Sequence, residues 1–179
     1  RGLEQIKNDV AYSDQPVRLV GISAGVSYGA LGTTHHSLHD FAVLQAINNV
    51  DIVAPAVTLA TTGALEAALT STRPIYIRLG KKNMPNLHSA DNRYAFGKAS
   101  VLREGNDVVF LSIGESTLPT VQAADLLAAQ GVAAGVLSLH TLRPFDEAAV
   151  LKAARAASAL ITVEEHSVHG GLGSRVAAL

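Results

Sequence analysis

The sequence predicts an α/β fold, with two units in succession, each a mostly parallel sheet covered by helices, joined by a short linker. Three observations carry this. Apolar runs of strand length alternate with helical segments of about 10–15 residues, twice along the chain. Apolar residues make up 48% of the sequence, yet there are only four Tyr, four Phe and no Trp. Ala, Val and Leu therefore supply the core, a composition suited to helices lying on parallel sheets. Between the two alternations, Lys81-Lys82-Asn83-Met84-Pro85-Asn86 breaks the pattern with charge, Pro and Asn.

Taken in order, residues Gly2–Val10 have helical character. Val17–Ile22 is an apolar run that reads as a buried strand, and Leu38–Asn48 places apolar residues at helical spacing. Asp51–Ala54 is a short strand closed by Pro55, Val57–Ser71 is an Ala-rich helix, and Pro74–Arg78 is a further strand. Residues 83–95 form the linker between a first unit, 1–82, and a second, 96–179. In the second unit, Lys98–Arg103 and Asp107–Ser112 are strands joined by the turn Glu104-Gly105-Asn106. A helix over Ser116–Gln130 begins at a Ser cap and ends at Gly131, a residue suited to a left-handed terminator. Val132–Leu139 is a strand, Pro144 stops the strand before it, and Asp146 caps a helix running to Ala157. Leu160–Glu164 is the final strand. Neither terminus carries a capped start or stop, so the chain reads as a fragment.

Composition excludes several function classes. Fourteen basic and fifteen acidic residues are interspersed, giving a net charge of −1 and no electrostatic footprint for nucleic acid or anionic membrane. With no cysteine there are no disulfides and no thiolate metal sites, which fits a reducing, cytoplasmic compartment. No uncharged apolar run reaches the length of a membrane span.

The chemistry concentrates in Gly29-Ala30-Leu31-Gly32-Thr33-Thr34-His35-His36-Ser37-Leu38-His39-Asp40. This loop lies at the carboxyl end of a strand, where open α/β sheets bind ligands. His35 is the candidate catalytic residue, because an imidazole donates a hydrogen bond or moves a proton near neutral pH. His36, Arg78 and Lys81 are the candidate substrate ligands. A guanidinium at a strand end has a fixed direction, and with the ammonium beside it suits a phosphate or carboxylate. His36 and His39 have a spacing that could serve zinc, but only Asp40 is close by to complete a ligand set, so they read as the polar wall of a cleft. Gly170-Gly171-Leu172-Gly173-Ser174 lacks the third glycine of a dinucleotide loop and reads as a tight domain or subunit contact, with His166 and His169 beside it. Glu164 and Glu165 read as solvated or interface carboxylates, and Arg143-Pro144-Phe145-Asp146 as architecture.

Four blocks, in this order, resemble the C-terminal half of the transketolase family. They are Gly32-Thr33-Thr34-His35 with Asp40; Pro74-Ile75-Tyr76-Ile77-Arg78-Leu79-Gly80; Thr141-Leu142-Arg143-Pro144-Phe145-Asp146; and Val163-Glu164-Glu165-His166 with Gly170-Gly171-Leu172-Gly173-Ser174. The resemblance implies two consecutive three-layer α/β domains with mostly parallel sheets: a pyrimidine-binding domain incomplete at its start and a C-terminal domain incomplete at its end. It implies thiamine diphosphate and Mg2+ as cofactors, in a homodimer or a heterotetramer with a diphosphate-binding domain or subunit. The reaction class it implies is transfer of a two-carbon ketol or acyl unit through a cofactor-bound carbanion, with sugar phosphates or related compounds as substrates. The family's cofactor-activating glutamate and pyrimidine-stacking aromatic would fall before Arg1, and its Gly-Asp-Gly…Asn metal and diphosphate signature is absent from this sequence. The resemblance therefore implies no metal ligands here and no activity without a partner. Leu31 stands where transketolase and deoxyxylulose-phosphate synthase usually have Asp, and it cannot hydrogen-bond a donor hydroxyl. The rival readings are a beta subunit of a 2-oxo acid dehydrogenase, suggested by His35-His36-Ser37, a non-catalytic binding or oligomerisation module, and a zinc hydrolase.

Overall fold

The computed structural model describes residues 2–85, 87 and 94–179; the rest of the expected linker, residues 86 and 88–93, lies outside the described residues. The chain begins with helix α1 (Gly2–Gln5), which continues as a π-helical stretch, Ile6–Tyr12, over the span whose residues have helical character. Strands β1 (Arg18–Gly21), β2 (Asp51–Val53) and β3 (Ile75–Arg78) then alternate with helices α2 (Asp40–Gln45) and α3 (Thr58–Thr70). The second half contains β4 (Ser100–Arg103), β5 (Val108–Ser112), α4 (Thr117–Ala128), β6 (Ala134–Ser138), β7 (Thr141–Arg143), α5 (Glu147–Ala156), β8 (Leu160–Val163) and α6 (Leu172–Ala177).

Two four-stranded sheets result. The first has the order β1-β3-β2-β7, with its first three strands parallel and β7 antiparallel to β2. The second has the order β4-β6-β5-β8, with β4 antiparallel to β6 and the others parallel. The fold is thus α/β with mostly parallel sheets, as the alternation predicts. The sheets do not follow the sequence boundary, however. Strand β7 belongs to the second half of the chain and completes the sheet of the first.

Local choices explain the helices. Ala60, Ala64 and Ala68 recur every four residues along α3 and are buried; Ala64 and Ala68 pack on Val53, Ile75 and Ile77 of the first sheet, and Ala60 packs with Ala56 and Val57. Asp146 caps α5 as expected, its carboxylate accepting the Ala149 N–H at 3.2 Å. Gly131 closes the end of α4 at φ +82°, the left-handed region predicted for it. Ser116 does not cap α4. Its hydroxyl instead donates to the carbonyls of Ile113 and Val163, both at 2.8 Å, tying the helix start to β5 and β8.

A single buried cluster joins the two halves. Phe41 and Leu44 of α2 and Ile52 of β2 pack with Leu111 of β5, Leu142 of β7 and Leu172 of α6. Burial of large side chains on this scale supplies about 1.5–3 kcal/mol each relative to exposure. No helix among the described residues is long and apolar enough to cross a membrane.

Candidate functional site

The carboxyl ends of β1 and β3 release two loops on the same edge of the first sheet. The loop after β1 makes a short 3-10 turn at Gly29–Leu31 and is pinched at its base by a bridge between Gly25 and Ser37. Ser37 N–H donates to the Gly25 carbonyl at 2.9 Å, and Ser167 N–H, from the second half, donates to the Leu38 carbonyl at 2.8 Å. The loop's base is fixed while its tip projects.

At that tip the structure gathers two of the four predicted site residues. His35 is exposed, with its ring 5.6 Å from that of Tyr28 and tilted by 57°. Its Nδ1 lies 3.0 Å from Thr34 Oγ1, and Nε2 makes no hydrogen bond among the described residues. Lys81, from the loop after β3, places Nζ 4.0 Å from the centroid of the Tyr28 ring, a cation–π contact. An imidazole and an ammonium thus flank one aromatic ring on an open surface.

The other two predicted ligands lie inside. Arg78 is 4% exposed. Its Nη2 donates to the carbonyls of Ser37 at 2.7 Å and Glu165 at 2.9 Å, its Nε is 2.9 Å from Asp40 Oδ2, and its guanidinium lies 4.4 Å over the Phe41 ring. His36 is half-buried, and its Nε2 is closed to solvent with no partner among the described residues. His39 is exposed at the start of α2, and Asp40 turns inward to accept the Tyr76 hydroxyl at 2.8 Å. Burial, reinforced by the Asp40 charge, pushes the Tyr76 phenol well above the usual range, so it stays a donor.

The second half presses two carboxylates, Glu165 and Glu115, against these loops. Glu165 sits against Gly25, which adopts φ +59°; a Cβ there would overlap the Glu165 carboxylate, and Val26 N–H reaches Oε2 at 3.4 Å. Glu115 Oε2 accepts the Ser27 hydroxyl at 3.0 Å, and Oε1 accepts the Lys82 N–H at 3.2 Å. Gly80 has no room for a Cβ because the Glu115 carboxylate occupies that space. Glu164, by contrast, turns to the start of α6 and accepts the N–H groups of Leu172 at 2.6 Å and Gly173 at 2.8 Å. Glu115 stands in the wall shared by two cavities. One, of about 470 Å³, is lined by Val26, Ser27, Lys82, Leu118 and Glu165; the other, of about 230 Å³, by Thr58, Thr61, Leu79 and Asn83.

The remaining motifs make internal contacts. His166 is buried, stacks on Phe41 at 5.3 Å, and holds the Ser167 carbonyl through Nδ1 at 2.9 Å. The glycine-rich loop packs on α2, where Gln45 Nε2 donates to the Gly170 carbonyl at 2.5 Å; this is the tight contact predicted for it. Arg143 donates to the carbonyls of Gln45, Ile47 and Val50 behind α2. Among the described residues no group of three or more His, Cys, Asp or Glu is placed to hold a metal ion. Sequence reasoning missed Tyr28 and Glu115. The signal for Tyr28 was available, as one of only eight aromatic residues, set among small residues in a strand-end loop.

Comparison with known proteins gives a consistent picture. Residues 1–86 match the family model for the transketolase pyrimidine binding domain, and residues 97–179 that for the transketolase C-terminal domain. The chain is 41% identical over 177 residues to an apulose-4-phosphate transketolase subunit of Phocaeicola vulgatus, covering 98% of this chain and 57% of that protein. It is 37% identical over 177 residues to a 6-deoxy-6-sulfo-D-fructose transketolase subunit of a Clostridium species, covering 99% of this chain and 55% of the relative. Among solved structures, a split-gene transketolase described as an inactive beta4 tetramer superposes with a TM-score of 0.89 at 35% identity, over 99% of this chain and 57% of that one. The chain therefore spans a little over half the length of these relatives.

Proposed function

The chain belongs to the transketolase family, and from that premise we propose that it supplies the substrate-facing histidine and lysine of a thiamine-diphosphate-dependent ketol-transferring enzyme. The observation that carries the reading is the grouping of exposed His35 and Lys81 on the half-buried Tyr28 ring at the carboxyl end of parallel strands. His35 Nε2 would donate a hydrogen bond or a proton to the oxygen of the donor or acceptor carbonyl, stabilising charge as the carbon–carbon bond is made or broken. Lys81 would bind the anionic end of the substrate.

The substrate class is a ketose with a terminal anion, a sugar phosphate or a related sulfonate. The names of the two relatives, for apulose-4-phosphate and 6-deoxy-6-sulfo-D-fructose, support that class. Leu31, 54% exposed beside this loop, offers a donor hydroxyl no hydrogen bond and favours ketoses other than the ordinary transketolase donors. Arg78 and His36, committed to or closed within the interior, take no direct part in this assignment; Arg78 holds the loop that presents His35.

The described residues do not fit as holders of the cofactor or of magnesium. The carboxylates near the His35 loop all have internal partners: Glu115 with Ser27 and Lys82, Glu165 with Val26, Asp40 with Tyr76 and Arg78. Thiamine diphosphate and Mg2+ are accordingly assigned to residues outside those described, in a homodimer or in a heterotetramer with a diphosphate-binding subunit. The test is reconstitution with such a subunit, comparing ketol transfer from ketose phosphates with carbon dioxide release from 2-oxo acids. Ketol transfer that is lost in His35→Ala supports the assignment. Carbon dioxide release alone moves the chain to the dehydrogenase branch, and unchanged turnover in His35→Ala removes that residue from the chemistry.

A further inference from the structure

We propose that Glu115, on the second half of the chain, is a positioning residue that sets the geometry of the His35–Tyr28–Lys81 trio. This rests on the reading that the trio meets the substrate. The two loops leave different strands and, among the described residues, share a backbone hydrogen bond only at their base, from the Ala24 N–H to the Leu79 carbonyl at 3.2 Å. The residue before Tyr28 is Ser27, and the residue after Lys81 is Lys82. One carboxylate reaches both, accepting the Ser27 hydroxyl at 3.0 Å and the Lys82 N–H at 3.2 Å. It thereby fixes the distance between the ring of Tyr28 and the ammonium that lies 4.0 Å over it. Tyr28 in turn contacts the His35 ring at 5.6 Å.

The packing beneath the carboxylate is equally specific. Gly80 lies directly under it, and any side chain there would displace it. Ser27 Oγ is also 2.5 Å from the Ala24 carbonyl, so its single hydrogen is shared between two acceptors. A glutamine at position 115 could donate to Ser27 Oγ, leaving the Ser27 hydrogen for Ala24, while its carbonyl takes the Lys82 N–H. The link therefore needs a forked polar head rather than a negative charge, and this separates the proposal from a general electrostatic role.

The test has a spectroscopic and a kinetic arm. In the first, Tyr28–His35 and Tyr28–Lys81 side-chain cross-peaks are followed by NMR in the full chain. The Tyr94–His140 stack, at 4.4 Å, serves as a control for the integrity of the fold. Glu115→Ala should lose both cross-peaks with the control intact, and Glu115→Gln should keep them. Retention of the trio in Glu115→Ala overturns the proposal. If Glu115→Ala also loses the control, Ser27→Ala decides. That variant cuts the same link on the loop side, and an unaltered Tyr28–Lys81 contact there overturns the proposal equally. In the second arm, with a diphosphate-binding subunit present, Glu115→Ala should raise KM for a phosphorylated donor about tenfold with kcat within about threefold, and Glu115→Gln should restore it. Wild-type enzyme that transfers no ketol unit defeats the functional reading, while the spectroscopic arm still decides the role of Glu115.

Discussion

Arg78 Nη2 donates simultaneously to the carbonyls of Ser37, in the loop after β1, and Glu165, just past β8. One buried guanidinium therefore fastens the base of the His35 loop to the opposite half of the chain. Its charge is balanced by Asp40 at 2.9 Å and its face is covered by Phe41. Truncation would leave two carbonyls without a donor and Asp40 without its ion-pair partner.

Arg78→Met should accordingly destabilise the protein by about 3–5 kcal/mol, the range for breaking one side of a buried pair. Urea denaturation measures this. The double variant Arg78→Met/Asp40→Asn should recover part of the loss, because no unpaired charge then remains.

His35→Ala should leave stability within about 0.5 kcal/mol, since the side chain is exposed. In the reconstituted enzyme it should lower kcat about 10²-fold, the lower range for removal of a proton-transferring group. Thermal denaturation and steady-state kinetics on one preparation separate these effects.

Lys81→Ala should raise KM about tenfold for phosphorylated or sulfonated donors and much less for a neutral ketose. The dependence of KM on ionic strength should weaken in the same variant. Equal effects on charged and neutral donors would instead place Lys81 in the support of Tyr28.

Asp51 is buried on β2, and burial raises its carboxyl above the usual 3.8, with Arg73 and Arg143 holding it down in part. A raised folded-state value favours the protonated form. The contribution of Asp51 to stability is therefore full below about pH 4 and is lost as pH rises through its folded value. Asp51→Asn should match wild type at pH 4 and become the more stable of the two towards pH 7. Melting temperatures across that window measure the divergence.

Gly25→Ala should be costly for two reasons. The residue sits at φ +59°, and its Cβ would overlap the Glu165 carboxylate. The added variant Glu165→Gly, which removes both the carboxylate and the Glu165 Cβ that would lie 2.6 Å away, should relieve the second cost and leave the first, about 1–2 kcal/mol. Chemical denaturation of the single and double variants separates them.

Much of the scaffold was legible in the residues. Asp146 and Gly131 act where local backbone chemistry dictates, and the alternation of apolar runs placed the principal strands to within a few residues. What escaped depended on distant partners. Strand β7 is three residues long and is defined by its pairing with β2, some ninety positions earlier. Arg78 reads as a substrate ligand because it ends a strand, but its guanidinium is taken up inside by the Ser37 and Glu165 carbonyls and Asp40. Ser116 looks like a cap until Val163 offers it a different acceptor. In the site, His35 and Lys81 could be found from residue type and loop position. Their meeting on Tyr28 depends on how the two loops converge.

The antiparallel pairing of β7 with β2 has a consequence for how the molecule can be divided. A gene fragment ending before the linker would encode a three-stranded ribbon whose Asp51–Val53 edge is bare, an invitation to intermolecular strand addition. Expressed together, the two pieces should find each other through that missing rung and co-purify. The joint between them makes a poor site for recombining modules, because each piece carries part of its neighbour's architecture.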